Sequence, residues 1–537
     1  MRLALRWFFL FLVGCSSVYG HEEYFNENLK ISSLQDGRVS TTFSFETILK
    51  GVPPRDPRLL NAPDSSQHYI VFPLALGQIL REYAVTELHL TLNAGSWNYE
   101  RWGYPEESGV GTGAELWAWM GAGAPMSIDD RWQGLRNALA GLFCASLGTL
   151  DEQRTTSPTH SYFPHGILPS WNGSSAHELR HGSMPSEHVC TENLTPFLKL
   201  LPCKSLSGIA SLLNPHRIFD ADWHGLGIHV LWSGEGGIKV RLSFQGVMDP
   251  LRPSISQKRD WSLESLFGRS IERSCPAANS SNIYVTLPSE AYNISPEPSK
   301  VVGQLASYDI LGVDKSFNVA MKWPRSFQYS PSYETSVPIS VVRTLRGATQ
   351  ASGKLSLVIS NHRSTPQSLV YLETMPWLVQ FQLHTLQARV DGRIRDDVIS
   401  NISYMAPVPH SRPATFQAEL RLAPRSVTHL TMDVDKAFLR YTEHPPDAQR
   451  GWDLPPAVLI PILSDTEDNH THSSNRQRLG QPIYTSTLLV DVATPDFSMP
   501  YNVIIFTCSL IAFIFGSVFN LLTRKFVVIG PDQPPQK

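Results

Sequence analysis

Charge is in short supply: Asp, Glu, Lys and Arg make up only 17% of the 537 residues, against 42% apolar residues. That balance excludes a solvated disordered chain and a coiled coil. A basic excess is missing too, since 45 Lys and Arg stand against 48 Asp and Glu for a formal charge of −3. No basic block interleaved with aromatics occurs either, so nucleic acid is not an expected partner. Familiar enzyme signatures are absent, with no G-x-S-x-G nucleophile elbow and no Gln-Ala-Cys-x-Gly motif. No receptor-read retention tetrapeptide closes the chain. What is plentiful is Gly and Pro, 35 and 40 residues, too many for a helical bundle and suited to short strands and loops.

The two ends set the expected topology. Arg2 and Arg6 precede a short apolar run from Trp7 to Val13, and Val18-Tyr19-Gly20 offers a cleavage position before His21. Residues 1–20 therefore read as a secretory signal peptide. Near the other end, Val503 to Leu522 is uncharged and, at about 1.5 Å per residue, reaches roughly one hydrocarbon thickness. Arg524 and Lys525 follow it, while Asp491 and Asp496 lie upstream. A transmembrane helix over 501–523 is expected, with the bulk lumenal and a cytosolic tail over 524–537. Six Asn-x-Ser/Thr triplets, at Asn172, Asn193, Asn279, Asn293, Asn401 and Asn469, all lie between signal and span and are glycosylation candidates. Pro follows the hydroxyl residue of the Asn193 and Asn293 triplets, which weakens those two. The sum is a single-pass type I membrane glycoprotein.

Between the ends, apolar and polar residues alternate with period two. Val39, Thr41, Phe43 and Phe45 show it, as do Leu88, Leu90 and Leu92, then Val240, Leu242 and Phe244, then Phe416, Ala418, Leu420 and Leu422, and finally Leu488, Val490 and Val492. One apolar and one polar face is the pattern of a strand half-buried in an antiparallel sheet. The expected fold class is mainly β: lumenal antiparallel β-sandwich-type domains with a few helices, plus the C-terminal span. A helix is expected near 128–147, capped by Ser127 with Asp130 and carrying Trp132, Leu135, Leu139 and Phe143 at helical spacing. Phe72 to Tyr83 is a second helical candidate. The chain divides into an N-terminal β-rich block over 21–150, a polar loop over 151–188 and a β-sandwich region over 189–500. Ser464 to Arg478 reads as another polar loop.

Three constellations could carry chemistry. His177-Glu178-Leu179-Arg180-His181 matches H-E-x-x-H, which on a helix would hold zinc between two imidazoles with the Glu as base. Its flanks are polar and Gly-rich, so a glycosylated loop is the better account and a zinc hydrolase the weaker one. Gly109, Gly111 and Gly113 lack the spacing of a dinucleotide fingerprint and read as a turn, with Trp97, Trp102, Trp117 and Trp119 around them. The cysteines say more. Cys15 leaves with the signal and Cys508 lies in the span, which leaves Cys144, Cys190, Cys203 and Cys275 in an oxidising lumen. Two internal bridges are one outcome. The other is a bond to a second chain, for which Cys190, ending the polar loop, is the best placed; Cys144 could instead be a buried free thiol.

Several stretches resemble the PIG-T subunit family of the GPI transamidase complex. The strongest are Thr494-Pro-Asp-Phe-Ser-Met-Pro-Tyr-Asn-Val-Ile504 leading into the span and Asn520-Leu-Leu-Thr-Arg524 closing it. Val189-Cys-Thr-Glu-Asn-Leu-Thr-Pro196 with Leu201-Pro-Cys203 is nearly as specific. Phe72-Pro-Leu-Ala-Leu-Gly-Gln-Ile-Leu-Arg81, Ala114-Glu-Leu-Trp117 and Phe143-Cys-Ala-Ser-Leu147 add support, and all occur in family order along essentially the whole chain. The resemblance implies a non-catalytic scaffold subunit in the endoplasmic reticulum membrane, with no catalytic residue, cofactor or metal of its own. The implied partners are a caspase-like catalytic subunit and the other membrane subunits, with the GPI lipid and the precursor protein reached through the complex. It also implies one lumenal cysteine bonded to the catalytic subunit. On the matching motif that residue is Cys190, with Cys203 its rival. Without the resemblance, a general type I lumenal receptor or cargo adaptor would be the reading.

Overall fold

A computed structural model describes residues 22–526 apart from 65–66, 172–175, 234–236, 253–257, 328–336, 348, 445–450, 464–477 and 495–497. The expected signal peptide, Cys15, Asn172, Asn469 and the tail from 527 lie outside the described residues, as does most of the polar loop expected at 464–478.

The alternating segments become strands as expected, and most of them assemble into one broad sheet. In chain order it holds β1 (Glu23–Ser33), β2 (Val39–Lys50), β3 (Val85–Ala94), β4 (Gly113–Gly121), β5 (Thr155–Thr156), β6 (His177–Met184), β7 (Trp223–Ser233) and β8 (Gly237–Met248). Three later strands, Ser280–Thr286, Lys300–Val302 and Leu305–Asp309, complete it. The spatial order of its 11 strands starts with Lys300–Val302, Leu305–Asp309 and Ser280–Thr286 and continues β1-β2-β8-β7-β3-β4-β6-β5. Its pairings are antiparallel with one exception: Ser280–Thr286 runs parallel to β1, with Leu29 opposite Ile283.

Helices cover one face of this sheet. Leu88, Leu90 and Leu92 of β3 and Leu116 of β4 share a core with Leu76 and Leu80 of the Leu74–Glu82 helix and with Trp132, Leu135, Leu139 and Phe143 of the Ile128–Phe143 helix. The second helix starts where its cap demands, because Ser127 Oγ accepts from the Asp130 amide at 3.0 Å. Leu194 and Phe197 of the Thr191–Lys199 helix join the same core.

A sandwich forms the second unit. One sheet holds Ile339–Arg346, Ser352–Asn361, Val379–Val390, Arg393–Ile394 and Val427–Lys436. The other is centred on Gln367–Met375, Ala414–Leu422 and Val458–Leu463. Leu357, Ile359, Leu430 and Met432 from the first face Leu369, Tyr371, Phe416 and Leu420 from the second in a common core. A buried ion pair ties the two sheets, with Arg343 Nη2 at 2.5 Å from Glu373 Oε1 and the Tyr371 hydroxyl donating to Glu373 Oε2 at 2.7 Å. Because both ions are fully buried, removing either partner alone strands the other.

The two units meet sheet against sheet. Val370, Leu372, Val458 and Ile460 pack on Trp97, Trp117, Tyr162 and Trp223. Of the four tryptophans near the glycine run, Trp97 and Trp117 are core, and Trp102 and Trp119 are partly buried against it. This packing corrects the expected division of the chain. Residues 151–188 do not separate two domains, since β5 and β6 are strands of the first sheet. The first core instead extends to Trp323 and the second begins near Ile339. Composition misled here because His, Ser and Gly in β6 are shielded by a second sheet that contributes the apolar contacts.

The last helix runs Ser498–Thr523, and its Tyr501–Thr523 portion is long and apolar enough to cross a membrane and is left unburied by the described residues. The hydroxyls of Thr507, Ser509, Ser517 and Thr523 each donate to the carbonyl four residues earlier. Lipid could not satisfy them otherwise.

The glycine run is a turn into β4. Gly113 sits at φ +89°, and a Cβ there would meet the Met184 carbonyl oxygen at 2.3 Å. Gly113→Ala is expected to cost more than about 1 kcal/mol, seen as a lowered chemical-denaturation midpoint. Gly141→Ala, with nothing within 4 Å of the added carbon in a helix interior, should be neutral or stabilising.

Candidate functional site

Four cysteines between the expected signal and the expected span were left open by the sequence, and the fold divides them. Cys203 and Cys275 form a disulfide across 72 residues of the first unit. Closing a loop of that length is worth roughly 4 kcal/mol in the chain-entropy account. Cys203 is thereby removed as a rival for an interchain bond. Cys144 and Cys190 carry free, exposed thiols, so Cys144 is not the buried thiol it could have been.

Both free cysteines stand on the same support. Cys190 is the N-cap of the Thr191–Lys199 helix, and Cys144 is the C-cap of the Ile128–Phe143 helix in the left-handed region at φ 51°. Asn193, itself 1% exposed, links them. Its Oδ1 accepts from the Cys190 amide at 2.7 Å, while its Nδ2 donates to the Phe143 carbonyl at 2.8 Å and the Cys144 carbonyl at 3.2 Å. Val189 and Leu194, on either side of Cys190, are buried. The thiol is thus presented outward from a backbone that the core fixes. The same geometry corrects Asn193 as a glycosylation candidate: its amide is buried and spent on backbone groups. Asn279, Asn293 and Asn401 are exposed.

The H-E-x-x-H segment also finds a different setting from the helix that zinc would need. It forms the start of β6, where a strand rise of about 3.3 Å per residue sets His177 and His181 some 13 Å apart. His181 Nε2 donates to Glu115 Oε1 at 3.0 Å, and its Nδ1 faces the Thr156 hydroxyl at 3.1 Å, so both ring nitrogens are engaged. Glu178 lies on the opposite face and pairs with Arg180 at 3.1 Å. One metal cannot bridge these residues.

The residues that the sequence reading missed lie on the polar face of β3 and β4. Alternation made His89, Thr91 and Asn93 the polar face of a half-buried strand, yet they are buried beneath the second unit together with Glu87 and Glu115. Glu115 accepts from the hydroxyls of Tyr162 at 2.6 Å and Tyr484 at 2.7 Å as well as from His181. Burial alone would raise its pKa, but the His181 contact and the two tyrosine hydroxyls more than reverse this and hold it below the ordinary glutamate value. Glu87 accepts at Oε1 from the His165 amide at 2.8 Å and from His89 at 3.0 Å, and at Oε2 from the Gly166 amide at 2.9 Å. Burial lowers the pKa of His89 and His229 well below the usual imidazole value. Two cavities flank Glu115 at this junction. One of about 340 Å³ is lined by His181, Met184, Leu372 and Trp452. The other, of about 480 Å³, is lined by His89, Trp117, His165 and Tyr484. The one signal in the sequence was the run of charged and polar residues at alternate positions 87, 89, 91 and 93. Nothing there named Tyr484 as a partner.

Comparison with known proteins places these features in a family. The model of the Gpi16 subunit, a GPI transamidase component, matches residues 9–259 and 250–537. The GPI-anchor transamidase component PIGT of Mus musculus is 31% identical, with 99% of this chain and 95% of that protein aligned. The corresponding protein of Homo sapiens is 32% identical over 94% of this chain and 91% of its own length. The GPI transamidase component PIG-T homolog of Schizosaccharomyces pombe is 33% identical over the same shares, 94% and 91%.

The Glu115 network makes a pH-dependent prediction. A carboxylate whose pKa is depressed by folding contributes stability that is complete above its unfolded value, about 4.3, and lost as pH falls through the folded value. Glu115→Gln should therefore cost on the order of 1–3 kcal/mol at neutral pH. The difference in unfolding midpoint between wild type and variant should shrink as the pH is taken below about 4.

Proposed function

This chain belongs to the Gpi16 family of GPI transamidase components, and on that premise we propose that it is the subunit that holds the catalytic one in place. In this reading the protein is a non-catalytic scaffold of the endoplasmic reticulum membrane. The Tyr501–Thr523 helix spans the bilayer, the two β units are lumenal, and the residues after Arg524 are cytosolic. Arg524 and Lys525 at the end of the span support that orientation. A caspase-like subunit, disulfide-linked to Cys190, would be held at a fixed height above the membrane. The precursor would arrive as a membrane-proximal peptide and the acceptor amine on a GPI head group. Holding one nucleophile where both arrive turns separate encounters into a local reaction and raises its effective concentration.

The observation that carries this reading is the exposed Cys190 thiol on a backbone anchored by buried Asn193, with Cys203 already consumed by Cys275. A tether that must transmit position needs this combination of free sulfur and rigid base. The exposed sequons at Asn279, Asn293 and Asn401 are the proposed sites of glycan among the described residues. Glycopeptide mass spectrometry should find them modified and Asn193 bare, and a glycan on Asn193 in the folded protein would contradict this.

Non-reducing gels of the membrane-extracted protein test the tether. Wild type and Cys144→Ser should give a heavier species that collapses on reduction, and Cys190→Ser should lose it. A heavier species that persists in Cys190→Ser and vanishes in Cys144→Ser would overturn the assignment.

A further inference from the structure

Glu87, His89 and His165 each offer one ligand atom, and the three atoms lie within 4.8 Å of one another. We propose that these side chains form a divalent-metal site, best suited to zinc, that pins the Tyr162–Ile167 loop onto the polar face of the first sheet. Two imidazoles and one carboxylate form a nitrogen-rich, borderline set that suits zinc and does not suit calcium or magnesium. Zinc bonds of about 2.0–2.2 Å place neighbouring ligand atoms roughly 3.4 Å apart. His89 Nε2 and Glu87 Oε1 are already 3.0 Å apart, and the remaining closure falls to His165, whose ring is on an exposed loop.

Three further features point to a built site. First, Glu87 is fully buried, and among the described residues its ion-pair partner is the imidazole of His89 alone. A buried carboxylate without a cation is costly, and a divalent ion supplies the missing charge. Second, His89 is positioned from behind. Its Nδ1 lies 2.9 Å from Nδ1 of buried His229, and its ring stacks on Trp117 at 3.8 Å. With the metal on Nε2, the Nδ1–H donates to His229, a hydrogen bond from behind that orients a ligating imidazole. Third, the loop bearing His165 is fastened. Both its 165 and 166 amides donate to Glu87, the Ile167 amide donates to the Trp232 carbonyl at 3.0 Å, and a Cβ on Gly166 would meet that carbonyl at 2.7 Å. His89 and His165 also line the cavity of about 480 Å³, from which water or a carboxylate could supply a fourth ligand.

The test uses the full-length, tag-free protein in detergent, chelator-stripped and with its free thiols alkylated, titrated with Zn²⁺ and with Co²⁺. Wild type should bind one ion per chain. It should show visible Co²⁺ bands free of thiolate charge transfer and a zinc-raised thermal midpoint. His165→Ala removes a ring that packs edge-on against His89 and Trp117 at the cavity wall; whatever its metal-free midpoint, its zinc affinity should fall at least about 100-fold and the midpoint should no longer respond to zinc. His177→Ala should bind as wild type does. Absence of stoichiometric binding at micromolar zinc overturns the proposal, and so does binding that survives His165→Ala.

Discussion

A carboxylate sealed between two sheets survives only if its lone pairs are used, and Glu115 meets that condition with donors from three distant places. Tyr162 comes from the loop after β5, His181 from β6, and Tyr484 from the second unit, 369 residues away in sequence. The arrangement constrains the whole molecule. The polar edge of β4 cannot face water without giving up these bonds, and the second unit cannot shift without unpairing a buried acid. Apolar contacts from Val370, Leu372 and Ile460 onto Trp117 and Trp223 fill the space around it. The two units therefore behave as one body, with helices on the outer face of the first sheet and the sandwich on its inner face.

That rigidity bears on function through position. The Thr191–Lys199 helix sits on the helical side, with Leu194 and Phe197 in the core of the first sheet. Cys190 at its start is consequently fixed relative to the sheet. Asn193 secures the last step by joining two helix termini through backbone groups. A subunit that places another chain's nucleophile needs such a fixed base beneath its contact point. The buried His and Glu groups lie at the junction of the two units, beside the cavities that His89, Glu115 and His181 help to line.

Much of this was legible in the sequence, and the limits follow one physical line. The strands at 39–45, 88–92, 240–244 and 416–422, the capped helix after Ser127, the terminal span and the turn at Gly113 all rest on local periodicity or local chemistry. Cys190, expected from the sequence to bond to a second chain, carries a free and exposed thiol, and its partner is beyond what one chain displays. What failed was every inference that equated polar with exposed. His177–Met184 was expected as loop and is a strand, Asn193 was a glycosylation candidate, weakened by Pro196, and is core, and His89, Thr91 and Asn93 were read as the polar face of a half-buried strand and are buried. In each case a distant segment supplies the cover or the hydrogen bond. A period-two pattern reports that two faces differ; it does not report that one of them meets water.

The central claim is that Cys190 is the point where this body grips another chain. Disulfide mapping by mass spectrometry on the native complex, extracted with thiols blocked at lysis, addresses it most directly. The account predicts a peptide containing Cys190 bonded to a peptide of a different subunit, beside an internal Cys203–Cys275 peptide pair. Recovery of Cys190 as an alkylated free thiol, or bonded to Cys144 of the same chain, would contradict it.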